Sequence, residues 1–176
     1  VNSYFNWSSK LSFDLGNGLF NSEIEYWNRI TKITTDLKLV IHGKNPLESE
    51  VERHISRISH KNFANFSSLD IEALLLTALL SGFFSQDETG ELLIELERHG
   101  RDTLNDFEAT NIVGWFTASF PIRLIKHANI EAEMITTKAM LETVPNKGSG
   151  FSSILAKTNS DDLNISFDGP GLKHFL

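Results

Sequence analysis

The run from Leu69 to Phe84 constrains the fold most, because it is almost wholly apolar and too long for an ordinary strand. Ser67, followed three residues later by Asp70, has the spacing of a capping pair and opens it, so a helix is predicted there. Its most apolar part, Ala73 to Phe84, contains Thr77, Ser81 and Gly82 and is too short to span a bilayer. A buried helix is therefore expected, and no membrane segment.

Around that helix the periodicity changes repeatedly. Tyr4, Trp7, Leu11 and Leu15 have helical spacing, and Gly16-Asn17-Gly18 supplies a stop. A second helix is predicted over Glu23 to Ile33. Leu37 to Pro46 reads as loop, and Val51 to Ile58 has strand composition with imperfect alternation. After the polar turn Gln86 to Gly90, Leu92, Ile94 and Leu96 alternate with Glu91, Glu95 and Glu97 over one strand length. Val113 to Phe120 reads as a strand ended by Pro121, and Trp115, Phe116 and Phe120 in it read as core. Glu131 to Val144 reads as a helix with acids in its first turn, stopped by Pro145. Lys147 to Gly150 is a turn, and Leu163 to Phe167 is a last strand leading into the loop Asp168-Gly169-Pro170-Gly171. Helices and strands are interleaved throughout, which predicts an α/β class.

The 176 residues suit one domain or a large lobe. Net charge is -7 with acids and bases mixed along the chain, so there is no basic stripe for a nucleic acid. Cysteine is absent, which removes disulfides, thiolate nucleophiles and zinc-thiolate sites and is compatible with the cytoplasm. The first residues hold neither an initiator Met nor a charged stretch leading into an apolar one, and the ends are abrupt, so a piece of a longer polypeptide is expected.

Local chemistry concentrates at Glu97 to Asp102, where a hydrophobic strand runs into five ionisable residues and Gly100. Glu97 and His99 share parity, and a carboxylate and an imidazole on one face can act as an acid and base pair. Taken alone, the same residues also read as an exposed charged turn of little energetic consequence. The remaining histidines, His42, His54, His60, His127 and His174, show no metal-binding spacing, so no metal site is expected. Gly148-Ser149-Gly150 matches neither phosphate-loop pattern, and no serine stands in a nucleophile elbow.

Five segments in order resemble the later motifs of epimerization-type domains in the nonribosomal peptide synthetase condensation superfamily, and a sixth stands at the place of another with departures. Tyr4-Phe5-Asn6-Trp7-Ser8-Ser9-Lys10-Leu11 is similar to the family's serine, aromatic, x, tryptophan, alanine segment, and Glu25-Tyr26-Trp27 to its Tyr-Trp dipeptide. Leu96-Glu97-Arg98-His99-Gly100-Arg101-Asp102 resembles Leu-Glu-Gly-His-Gly-Arg-Glu, with Arg98 in place of Gly. Val113-Gly114-Trp115-Phe116-Thr117 matches Val-Gly-Trp-Phe-Thr, where peptide-bond-forming condensation domains usually carry a Met-Phe-Val-Asn-Thr type sequence. Val144-Pro145-Asn146-Lys147-Gly148-Ser149-Gly150-Phe151 resembles Val-Pro-x-x-Gly-x-Gly-Tyr. Ile165-Ser166-Phe167-Asp168 sits at the Phe-Asn-Tyr-Leu-Gly position, but with Asp168 for the Asn and Gly169-Pro170 for Tyr-Leu.

The resemblance implies a chloramphenicol-acetyltransferase-like fold of two lobes, in which residues 1–36 are connecting helices and 37–176 the C-terminal lobe, with a mixed sheet and flanking helices. It implies inversion at Cα of an aminoacyl or peptidyl thioester carried on the phosphopantetheine arm of a carrier protein, with no cofactor bound directly. Glu97 would be the catalytic acid/base residue, with His99, Arg101 and Asp168 in support. The opposing group would be the second histidine of His-His-x-x-x-Asp-Gly on the N-terminal lobe, a motif that these 176 residues do not contain. Expected partners are that lobe, the carrier protein and adjacent synthetase domains. Two alternatives are a non-catalytic relative that docks a carrier protein or module, for which the Asp168-Gly169-Pro170 departure speaks, and a condensation domain, against which Gly114-Trp115-Phe116-Thr117 speaks.

Overall fold

The computed structural model describes residues 2–31, 55–57, 59, 61, 65–84 and 89–158. Among the described residues the helices and strands, in chain order, are α1 (Tyr4–Gly16), α2 (Ile24–Thr31), α3 (Ser68–Phe83), β1 (Gly90–Arg98), β2 (Ala118–Lys126), α4 (Ile130–Thr143) and α5 (Ser149–Thr158). Short 3-10 turns at Asn21–Glu23 and Pro145–Gly148 lead into α2 and α5. β1 and β2 form an antiparallel pair with flanking helices, the α/β class that the interleaved periodicities predict. The strand expected at 163–167, the loop at 37–46 and Asp168 lie outside the described residues. So does most of the strand expected at 51–58. Residues 55–57 are not in a strand, and Ile55 is exposed, so no apolar face is buried there.

The described residues fall into two compact units. The first comprises 2–31, 93–123 and 142–158, and the second comprises the described residues of 55–92 together with 124–141.

In the first unit, Ser3 caps α1 by accepting the Asn6 N–H at 3.1 Å. The predicted stop is realised by Gly18 at φ +88°, with the Leu19 N–H returning to the Asp14 carbonyl. Trp7 of α1 packs with Leu104, Ala109 and Phe116 in one apolar cluster. α2 buries Trp27, Ile30 and Thr31 on one face. The carbonyl of Ile30 near its C-terminus accepts two hydrogen bonds from the Arg123 guanidinium, at 3.2 and 2.7 Å, so a cation meets the negative end of the helix dipole. The Trp27 ring meets Phe120 and Phe151, with centroids 6.2 and 5.1 Å away.

The second strand runs further along the sequence than expected. β2 begins at Ala118, and Pro121 lies inside it; among the described residues the sheet has two strands, and an edge strand tolerates proline where the missing N–H points away from the ladder. Ala118, Phe120, Ile122, Leu124 and Lys126 are buried at the strand period. Val113 and Trp115 are 95% and 76% exposed, so Trp115 is not core, whereas Phe116 and Phe120 are. The turn expected at Lys147–Gly150 is also different, because its last two residues already belong to α5. Gly148 at φ +85° makes that possible by turning the chain where a side chain would strike the Phe120 ring.

In the second unit, α3 carries the predicted capping box. Ser67 Oγ accepts the Asp70 N–H and Asp70 Oδ2 accepts the Ser67 N–H, both at 3.1 Å. Asp70 also pairs with Lys138 of α4 at 2.5 Å. Glu133 is fully buried and pairs with Lys126, while its other oxygen accepts the Ser81 hydroxyl at 3.3 Å. Lys138 and the cap hold the Asp70 carboxyl down at about 2. A depressed carboxyl stabilises the fold above its unfolded pKa near 3.8 and loses that contribution as pH falls through its folded value. The denaturation midpoint should therefore drop between pH 4 and pH 2, and urea titrations of Asp70→Asn should show a smaller drop over the same window.

Candidate functional site

The Glu97 to Asp102 segment lies in the first unit. β1 ends at Arg98, and Gly100 turns the chain at φ +51° with its Cα against the Phe116 carbonyl. An added Cβ would lie 2.1 Å from that oxygen, so glycine is dictated by backbone as well as by φ. Arg101 fills the inside of the turn. Its Nη1 donates to the carbonyls of Ala109 at 2.7 Å and Ile112 at 2.8 Å, and its guanidinium lies over the Phe116 ring, 4.3 Å from the centroid. Arg101 thereby ties together a loop that has no strand or helix of its own.

His99 stands just past the strand and is 65% exposed. Its Nδ1 accepts the Arg101 N–H at 3.2 Å, which leaves the neutral ring's proton on Nε2. Asp102 Oδ1 lies 3.3 Å from the same nitrogen, an ion pair only when the ring is protonated. The other oxygen of Asp102 pairs with Lys147 at 2.6 Å, and Lys147 holds the Asp102 carboxyl below its usual range. Glu97 is different. It faces solvent, and no side chain among the described residues hydrogen bonds to or pairs with its carboxylate.

The segments singled out in the sequence that lie among the described residues thus meet in space. Phe116 of the Gly-Trp-Phe-Thr segment contacts Gly100, Arg101, Tyr4 and Trp7, and Tyr4 lies under Gly114. Lys147 of the Val-Pro segment reaches Asp102, while Asn146 donates to Glu23 at 2.6 Å and Trp27 donates to the same carboxylate at 2.9 Å. Glu23, Asn146 and Lys147 carry no local sequence signal, since Lys147 meets Asp102 across 45 residues and Asn146 meets Glu23 across 123. Asp168 lies outside the described residues. A shallow cleft of about 460 Å³ beside Lys10, Asp14 and Asp106 does not include Glu97, His99 or Arg101. Among the described residues no group of three acidic or histidine side chains could hold a metal, and no helix is long and apolar enough to cross a membrane.

Arg101→Lys keeps the charge but loses the planar fork and the stack on Phe116. With one of the two carbonyls left unpaired, denaturant titration of the complete domain should show a loss of about 1–3 kcal/mol.

The architecture and the convergence of these segments define a class: an α/β segment of the condensation-domain fold. The epimerization domain from the third module of tyrocidine synthetase B is similar in structure with a TM-score of 0.67 and 26% identity, covering 85% of this chain and 36% of that one. Bacitracin synthase 3 of Bacillus licheniformis is 30% identical over an alignment 190 residues long including gaps, covering 96% of this chain and 3% of that protein. Tyrocidine synthase 2 of Brevibacillus parabrevis is 25% identical over 180, covering 91% and 5%. No protein-family model matches. The chain belongs with the epimerization/condensation-type domains of nonribosomal peptide synthetases, and it spans about a third of the similar epimerization domain and a few per cent of the synthetases.

Proposed function

We propose that the chain is the C-terminal part of an epimerization domain that inverts Cα, from L to D, in an aminoacyl or peptidyl thioester. Residues 37–176 belong to the C-terminal lobe and 1–36 to the helices that connect it to an N-terminal lobe bearing His-His-x-x-x-Asp-Gly. The substrate arrives on the phosphopantetheine arm of a carrier protein, and neighbouring synthetase domains deliver and receive it. Glu97 takes or returns the Cα proton. The C–H electron pair moves into the thioester carbonyl as an enolate, and the opposing histidine serves the other face.

The observation that carries this reading is the contrast within one turn. His99, Arg101 and Asp102 are engaged in holding the chain, whereas the Glu97 carboxylate near the strand end is unpaired among the described residues and exposed for proton transfer. Its agreement with Val113-Gly114-Trp115-Phe116-Thr117 and the likeness to an epimerization domain favour epimerization over condensation. The test loads an L-aminoacyl carrier protein, adds the complete domain and follows loss of Cα deuterium in wild type and Glu97→Gln. The Asp168-Gly169-Pro170 departure favours a second reading, a non-catalytic relative that only docks a carrier protein. Complete retention of deuterium by the wild-type domain, with no amide formation and with binding of the carrier protein intact, would establish that second reading in its place.

A further inference from the structure

Glu23 is a buried carboxylate in the first unit that the proposed chemistry does not use. Among the described residues no cation pairs with it. Its oxygens are divided between two neutral donors, Trp27 Nε1 on Oε2 at 2.9 Å and Asn146 Nδ2 on Oε1 at 2.6 Å. It also lies against Gly150 in the first turn of α5, so closely that a Cβ there would sit 2.3 Å from Oε2. Burial pushes the Glu23 carboxyl up, against the two hydrogen bonds that pull it down. A carboxylate kept dry without a counterion is a standing penalty, so what it holds is informative.

What it holds is a strained turn. Asn146 and Lys147 have φ of 43° and 53°, two successive side-chain-bearing residues in the left-handed region, followed by Gly148 at 85°. Such outliers persist only where the surroundings over-determine them. This turn has two consequences. It lays Gly148 flat on Phe120 of β2, where Ser152 also donates to the Ser119 carbonyl at 2.7 Å, and it aims Lys147 at Asp102. The exposed Lys147–Asp102 pair is weak alone, but it springs from a turn clamped to the strand beside the one that carries Glu97.

The geometry points to Glu23 as a positioning residue: through Asn146 it latches the 145–148 turn, which fixes the Gly100 turn and with it the Glu97 carboxylate. This rests on the acid/base reading of Glu97 for its effect on turnover, but not for its effect on structure. In the complete synthetase module, Glu23→Gln places an amide with one acceptor against two donors. Amides of residues 99–103 should then exchange with solvent about tenfold faster, and kcat for Cα deuterium loss should fall about tenfold with KM for the acyl carrier protein unchanged. Asn146→Gly accepts positive φ without a latch, so Glu23→Gln should have little further effect in that background. Should Glu23→Gln not fold, Asn146→Ala opens the same latch from the exposed side and should give the same two changes. Unchanged exchange at 99–103, or effects of Glu23→Gln and Asn146→Gly that simply add, would overturn the latch. If Glu97→Gln leaves turnover intact, the acid/base reading falls by itself and the exchange measurement still decides the role of Glu23.

Discussion

Glu97→Gln is expected to slow the loss of Cα deuterium from a carrier-bound L-aminoacyl thioester by at least about 100-fold, the lower end of what a positioned acid or base contributes. That corresponds to about 2.7 kcal/mol of barrier. The substitution keeps the size of the side chain and removes only its capacity to exchange a proton. The carboxylate is exposed, and no contact among the described residues depends on its charge. The melting temperature should stay within a degree or so, as for substitutions remote from caps, cores and buried pairs. KM for the loaded carrier should also be unchanged, since the loss is confined to the transition state. A wild-type rate in the variant would remove Glu97 from the chemistry. A condensation domain would be revealed by amide formation that survives the substitution, with no deuterium loss in wild type.

Gly100→Ala should be the most damaging single methyl group in the turn. A left-handed L-residue costs about 1–2 kcal/mol, and overpacking a full site costs about 1–3 kcal/mol more. The new Cβ would lie 2.1 Å from the Phe116 carbonyl and 3.3 Å from Ala118 Cβ, neither of which is the end of a flexible side chain. Relief requires moving the backbone that carries the Phe116 ring, which packs edge-on against Tyr4 and Trp7 and under Arg101. We expect a loss of about 3 kcal/mol by denaturant titration, together with loss of Cα exchange because Glu97 is three residues away. Gly16→Ala is the control. Gly16 is helical with open space around it, so alanine there should be neutral or stabilise by up to about 1 kcal/mol. Equal effects at the two glycines would show that the turn is not held as described.

Local signals specified the helices well because their determinants are close in sequence. The Ser67–Asp70 box, the Gly18 stop and the acids opening α4 act within one turn of chain, and each is where the sequence puts it. β2 was displaced because Pro121 reads as a stop in isolation, although a sheet edge tolerates it. Trp115 was misplaced because aromatic character alone does not tell which side of the chain is covered. α5 was hidden because its start depends on a left-handed turn held by Glu23, 123 residues from Asn146.

The sequence by itself determined the α/β class, the capped helices and the order of segments that marks this chain as an epimerization/condensation-type domain. It also singled out Glu97 to Arg101, though on local chemistry alone those residues read more readily as a charged turn than as a site. The resemblance implied different roles for them, and only the tertiary structure supplied their contacts. Arg101 is committed to two carbonyls and an aromatic ring, His99 and Asp102 to the turn and to Lys147, and Glu97 to nothing among the described residues. The reason is that a side chain's part in a site is set by what reaches it. The partners of His99 are two and three residues away, but those of Arg101 and the lysine that meets Asp102 come from 8 to 45 residues away, beyond the range of any periodicity or cap.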